Sequence, residues 1–285
     1  MNGPIRDCIA GQISPEVAIA QLLFQGATAS EIESLLAECP HHPKRDALLR
    51  LLAGRERQID GLAAEVAATS ANHDASGPTP EQGIARIAAF FDRAVAHSPE
   101  ASVALYSLGD PDILAAATAE IVGWLEAHDV LRPGMDVLDL GCGFGRVASV
   151  LAPRCRSVLG LDVSAGMVEE ARRRQARLTN ARFEQTNGRH LTALPDGAFD
   201  LVLAIDCFPY IVQTGDAVAE RHVADAARIL RPGGALAILN LSYRNDDGQD
   251  LTDAQRWAQA HGLRLEIADP RPFQLWDGSG YVLRR

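Results

Sequence analysis

Aromatic residues are scarce, at 5% of 285 residues, and cations are outnumbered: 27 lysines and arginines stand against 37 acidic residues. The resulting formal net charge of −10 argues against an extended nucleic-acid surface, which needs clustered cations to displace the counterions of phosphates. No apolar run reaches the ~20 residues of a membrane span, and residues 1–7 lack the pattern of a signal peptide. Cysteine is sparse and odd in number: Cys8, Cys39, Cys142, Cys155 and Cys207 are widely spaced, with no C-x-x-C pair. They read as reduced thiols, which with the other absences leads to the expectation of a cytoplasmic protein. The pair His41-His42 has only Cys39 nearby, so no metal site is expected. There is no internal repeat. A hydrophobic content of 47% is ordinary for a globular protein, and the length fits one large or two small domains.

The first quarter of the chain reads as helical. Ser14 with Pro15 opens one helix. Ser30 and Glu33 have capping-box spacing for a second that stops near Cys39-Pro40. A long helix is predicted over residues 44–69, with Leu48, Leu52, Arg55, Ile59, Leu62 and Val66 alternating spacings of four and three. Two readings of that seam stand: a dimerisation helix, or an amphipathic helix packed on its own domain. Residues 1–70 thus form a helical region, and 71–80, rich in breakers, a linker. Thr79 with Pro80 and Gln82 starts another helix, Ser98-Pro99-Glu100 a further one, and Asp110-Pro111-Asp112 a long one. From Met135 the pattern changes to short apolar runs alternating with helices, as in a parallel sheet covered on both faces. Strands are predicted at 136–140, 157–161, 182–185, 200–205 and 235–241, and helices near 144–152, 165–178, 216–230 and 252–261. Strands at 264–268 and 281–284 close the chain as an antiparallel hairpin. The run Arg172-Arg173-Arg174 reads as a solvated helix face.

The stretch Val137-Leu138-Asp139-Leu140-Gly141-Cys142-Gly143-Phe144-Gly145-Arg146 is the most informative. It reads as a buried strand entering a glycine loop and then a helix. Glycines at alternate positions let a backbone approach a ligand closely. The spacing differs from the G-x-G-x-x-G loop that cradles a pyrophosphate. Asp139 beside the loop repels a pyrophosphate but suits a ligand carrying an ammonium and a sulfonium. Downstream, Asp162 ends the second strand, where a carboxylate can accept from both ribose hydroxyls of a nucleoside.

This stretch resembles motif I of the class I S-adenosylmethionine-dependent methyltransferases. Leu159-Gly160-Leu161-Asp162-Val163-Ser164, Phe183 to His190, Phe199 to Tyr210 and Arg228-Ile229-Leu230-Arg231-Pro232-Gly233-Gly234 follow in that family's order. The resemblance implies an α/β fold: a seven-stranded Rossmann-like methyltransferase sheet, mostly parallel with an antiparallel last strand, after an N-terminal all-helical region. Residues 81–111 would be cap helices over the cofactor site and 112–285 the core. It implies S-adenosyl-L-methionine as cofactor, held by Asp139, Gly141, Cys142, Gly143, Asp162, Val163, Met167, Asn187, Gly188 and Asp206. Tyr106 would reach the cofactor's carboxylate, assisted by Ser107 or Gly109. Asp206, Tyr210 and His190 are the candidates to face the methyl group or the acceptor, with His222 a further candidate base. Asn187 stands where the family commonly has an Asp, and Asp206-Cys207-Phe208-Pro209-Tyr210 departs from the D/N-P-P-Y/F of adenine-base methyltransferases. The acceptor implied is a small molecule, met in a pocket to which Phe208, Tyr210, Tyr243 and Trp276 contribute, with neither nucleic acid nor membrane as partner. Two other readings stay open: a non-catalytic scaffolding relative, and an NAD-dependent oxidoreductase.

Overall fold

A computed structural model describes residues 3–69 and 75–285. The first part of the expected linker, 71–74, lies outside the described residues. Seven strands form one sheet: β1 (Asp136–Leu140), β2 (Ser157–Asp162), β3 (Ala181–Gln185), β4 (Phe199–Ile205), β5 (Leu230–Leu239), β6 (Arg264–Asp269) and β7 (Gly280–Arg284). Their order is β3-β2-β1-β4-β5-β7-β6. β1 to β5 pair in parallel, and β7 runs antiparallel to both β5 and β6. The expected Rossmann-like methyltransferase sheet is therefore observed. Strand five differs in detail. It begins at Leu230, and Arg231-Pro232-Gly233-Gly234, which lies between the helix and strand expected there, is absorbed as a register shift opposite Phe199 and Leu201. Two glycines and a proline tolerate such a bulge where a regular ladder would not hold.

Strand residues alternate between two apolar cores. Val137, Val158, Leu201 and Ala235 enter one; Leu138, Leu159, Val202 and Leu236 enter the other. This is the two-residue period of a sheet covered on both faces. Asp139 falls on the Val137 side, towards Tyr106, Cys142 and Met167.

Five N-terminal helices, α1 (Gly3–Ile9), α2 (Pro15–Phe24), α3 (Ala29–Ala37), α4 (Pro43–Leu52) and α5 (Glu56–Thr69), enclose a core of their own. Ser14 caps α2 as expected, its Oγ accepting from the Val17 N–H at 3.1 Å. The capping box belongs to Thr28 and Glu31 instead of Ser30 and Glu33, because α3 has already started at Ala29. The single helix predicted over 44–69 is two. Gly54 takes φ 77° between α4 and α5, and its N–H donates to Glu56 Oε1 at 2.9 Å. The seam does not continue across that break. Leu48, Leu52, Ile59 and Leu62 are buried inside the chain's own bundle, and Arg55 leaves the seam to pair with Asp110 at 2.6 Å.

α6 (Pro80–His97) bridges bundle and sheet. Thr79 caps it, and midway along it Asp92 Oδ1 accepts from Ser164 Oγ at 2.6 Å and the Gly166 N–H at 2.8 Å. Asp92 thereby ties α6 to the start of α10 (Ala165–Arg174). Between them in sequence lie α7 (Pro99–Val103), a short 3-10 turn over Leu105–Ser107, α8 (Pro111–Ala127) and α9 (Arg146–Leu151). After β4 the chain forms α11 (Phe208–Thr214), where a loop was expected, then α12 (Asp216–Ile229) and α13 (Asp247–Ala260). The arginine run is not simply solvated: Arg172 donates to Phe183 O, and Arg174 pairs with Glu100 and lies 4.4 Å over the Phe144 ring.

Candidate active site

The carboxyl ends of β1, β2 and β4 open into a cavity of about 610 Å³. Open α/β sheets bind ligands at such a place, outside the carboxyl ends of their strands. Asp139, Gly141, Cys142 and Gly143 border the cavity from β1 and its loop, Asp162, Val163 and Met167 from β2 and α10, and Gly188, Asp206 and Tyr210 from further along. Helices α2, α5 and α6 close it with Val17, Leu62, Ile84 and Phe91 among others.

Asp139 is buried in the sheet, and its Oδ2 has no hydrogen-bond partner among the described residues. Burial pushes its pKa up to about 7; Arg146 opposes the rise and Asp162 adds to it. The Tyr106 hydroxyl is likewise buried without a partner. Its pKa is raised by burial, with Arg146 again lowering it. Two orphaned polar atoms beside one guanidinium, all on the cavity wall, are an unmet demand for a ligand, since buried polar groups are otherwise paired.

Asp162 is fixed by backbone. Its Oδ2 accepts from the Gly143 N–H and its Oδ1 from the Ser164 N–H, each at 2.9 Å. Burial raises its pKa against those donors. Each carboxylate oxygen has a second acceptor site, so both remain able to take a hydroxyl. The loop is tight. At Gly141, φ is 71° and a Cβ would stand 2.2 Å from the Cys207 Cβ. At Gly188 a Cβ would meet Val163 Cγ1 at 2.7 Å, so only glycine leaves the channel beside Met167 and Val163 open.

Asp206 follows the last residue of β4 with φ 56°. The parallel register sets Ile205 beside Leu239, and so Asp206 beside Asn240. Asn240 Nδ2 donates to Asp206 Oδ1 at 2.8 Å and the Tyr243 hydroxyl at 3.0 Å. Burial raises the Asp206 pKa to about 6 against these two donors. The Tyr210 and Tyr243 hydroxyls lie 3.3 Å apart.

Five of the expected site residues lie elsewhere. Asn187 is exposed, and its Oδ1 accepts from the Arg189 N–H at 2.8 Å, an Asx turn that faces the amide outward. His190 rests on Thr192 Oγ1 at 2.8 Å and does not border the cavity. Phe208 is turned into the opposite core against Trp257, 5.8 Å between centroids. Ser107 and Gly109 bond each other and also stay outside. His222 does border it, from α12; its Nδ1 lies 2.9 Å from Val218 O and burial lowers its pKa. Arg146 and Asn240 were missed. An arginine at the first position of a helix opposes the helix dipole, and that misfit was a readable signal. Asn240 was readable as a polar residue just past an apolar strand.

A methyltransferase-domain family matches residues 138–238. Over 110 residues the chain is 34% identical to demethylmenaquinone methyltransferase of Tropheryma whipplei, covering 39% of this chain and 43% of that one. It is 33% identical over 165 residues to trans-aconitate 2-methyltransferase of Deinococcus radiodurans, covering 53% and 60%. The matched region thus spans about half the length of these relatives. The solved structure of phosphoethanolamine N-methyltransferase 1 from Haemonchus contortus shares the fold, with a TM-score of 0.51 and 16% identity over 70% of this chain and 48% of that one. Over residues 138–238 the chain is thus similar to the class I S-adenosylmethionine-dependent methyltransferases, a family whose cofactor is S-adenosylmethionine.

Proposed function

We propose that this protein transfers the methyl group of S-adenosylmethionine to a small-molecule acceptor bound in the cavity. The observation that carries the reading is the orphaned pair, Asp139 Oδ2 and the Tyr106 hydroxyl, at one end of an otherwise largely apolar cavity. When bound, the cofactor supplies an electrophilic methyl on a positively charged sulfur. Asp139 meets its ammonium, while Tyr106 and Arg146 meet its carboxylate. Asp162 accepts from the ribose hydroxyls. Met167, Val163 and Gly188 flank the adenine. Asp206 stands at the end facing the acceptor, with Tyr210 beside it. Leu62 of α5 and Ile84, Ile87 and Phe91 of α6 cover the site, excluding water and holding the acceptor in line, which supplies most of the rate when the acceptor is already nucleophilic. The N-terminal helices and α6 act as a cap in this reading.

Calorimetric titration of S-adenosylhomocysteine into wild type and Asp162→Ala tests it. Charge-assisted hydrogen bonds are worth roughly 1.5–3 kcal/mol each, so the substitution is expected to weaken binding about tenfold or more. No binding by folded wild type would overturn the reading in favour of a non-catalytic scaffolding relative. A fluorescence titration with NADH tests the oxidoreductase alternative, and no saturable binding is expected.

A further inference from the structure

The cavity carries charge of essentially one sign. Glu65, Asp139, Asp162, Asp206 and Asp277 border it, while Arg146 is its one guanidinium and no lysine reaches it among the described residues. Arg146 belongs with Asp139 and Tyr106 at the cofactor end. Among the described residues an anionic acceptor therefore meets no lysine or arginine in the remaining space. Asp206 presents the opposite chemistry. Its Oδ1 is held by Asn240 and Tyr243, and no protein donor engages its Oδ2 among the described residues. Beside it runs a continuous aromatic wall: Phe91 packs edge-on against Tyr210 at 5.5 Å, and Tyr210 against Tyr243 at 5.4 Å. A carboxylate flanked by aromatic rings is the combination that recognises an alkylammonium. Beyond it Leu62, Val66, Ile84 and Ile87 make an apolar channel.

We propose that the acceptor is an apolar amine, its nitrogen held at Asp206 Oδ2 beside the Tyr210 and Tyr243 rings and its body lying in the channel. The proposal rests on the methyl-transfer reading above. In the step, the ammonium first gives one proton to the Asp206 carboxylate, which passes it on to water. The freed nitrogen lone pair then forms the new N–C bond as the C–S bond breaks, that bond's electron pair leaving on sulfur and the methylated nitrogen departing as an ammonium. A carboxyl whose pKa burial has raised to about 6 takes that proton more readily than an ordinary aspartate.

The test is calorimetry on the full chain saturated with S-adenosylhomocysteine, using phenylbutylamine, phenylbutanol and phenylbutyrate, which share a body and differ in charge. The amine is expected to bind about tenfold more tightly than the alcohol, and the carboxylate more weakly than either. Asp206→Asn is expected to bring the amine-to-alcohol ratio near one. Asparagine tolerates the left-handed backbone, so this variant keeps its fold. Tyr243→Phe retains the ring and is expected to retain the preference. Phenylbutyrate binding as tightly as the amine overturns the proposal, as does an unchanged ratio in Asp206→Asn or binding of none of the three. S-adenosylhomocysteine binding by wild type is read separately, and failure of the methyl-transfer reading shows as its absence.

Discussion

Asp139 sits where an aspartate is least comfortable, in an interior strand of the sheet with one oxygen unpaired among the described residues. Burial lifts its pKa from 3.8 to about 7. A carboxyl raised on folding binds its proton more tightly in the native state. Its contribution to stability is full below the unfolded pKa and is lost as pH rises through the folded one. Over about pH 4 to 7, each unit with one proton's difference between the states is worth about 1.4 kcal/mol. Urea denaturation across that window is expected to show stability falling with pH, and Asp139→Asn to flatten the fall by about one proton. An unchanged slope would sink the assignment. Gly141 and Gly54 differ in what an added side chain would meet. Both have positive φ, but only at Gly141 does a Cβ collide, 2.2 Å from Cys207, while at Gly54 nothing lies within 4 Å. Gly54→Ala is expected to cost about 1–2 kcal/mol for the backbone alone. Gly141→Ala should cost a further ~1–3 kcal/mol for overpacking, read from urea midpoints at constant slope.

Among the elements, those whose environment is set locally were the most legible. β1 matched its predicted bounds because a buried parallel strand needs a continuous apolar run, and that run is visible in Val137-Leu138 and Leu140. The Thr79 and Asp110 caps were equally readable, each followed by a proline at the helix start. Less legible was the helix over 44–69. Its seam looked continuous because spacing alone cannot register that Gly54 leaves the helix and that Arg55 is drawn off to Asp110, 55 residues away. Long-range ties of this kind also govern α6, which Asp92 binds to α10. Asp92→Ala removes two hydrogen bonds and is expected to cost about 1–3 kcal/mol. Amide exchange should accelerate in α6 and at Gly166 and remain slow in β1; equal acceleration in β1 would mean the tie is not local.

Taken as one molecule, the cavity is assembled from the N-terminal bundle, α6, the 3-10 turn and the ends of β1, β2 and β4. Occupation of such a cavity stabilises all of them together. S-adenosylhomocysteine at a hundredfold excess over its Kd is expected to add about 2.7 kcal/mol. The gain should appear in a single thermal transition, with helix circular dichroism, which includes the bundle, coinciding with the fluorescence of Trp124, Trp257 and Trp276. A helical transition that stays behind while the tryptophans shift would show that the bundle is not coupled to the site.

The sequence by itself determined the parts whose chemistry is contiguous: the glycine loop with Asp139, the acid at the end of β2, and the alternation of strand and helix. In each, the residues that act together are neighbours in the chain, so their spacing carries the meaning. Tertiary structure decided the rest. It turned Asn187, His190 and Phe208 away from the cavity, through an Asx turn, a bond to Thr192 and a helix where a loop was expected. It brought Arg146 to Asp139 and Tyr106, Asn240 and Tyr243 to Asp206, and α5 and α6 over the opening. Those meetings depend on strand register and on packing between segments far apart in the chain, and no local spacing encodes which of two polar neighbours will face the cavity and which will face water.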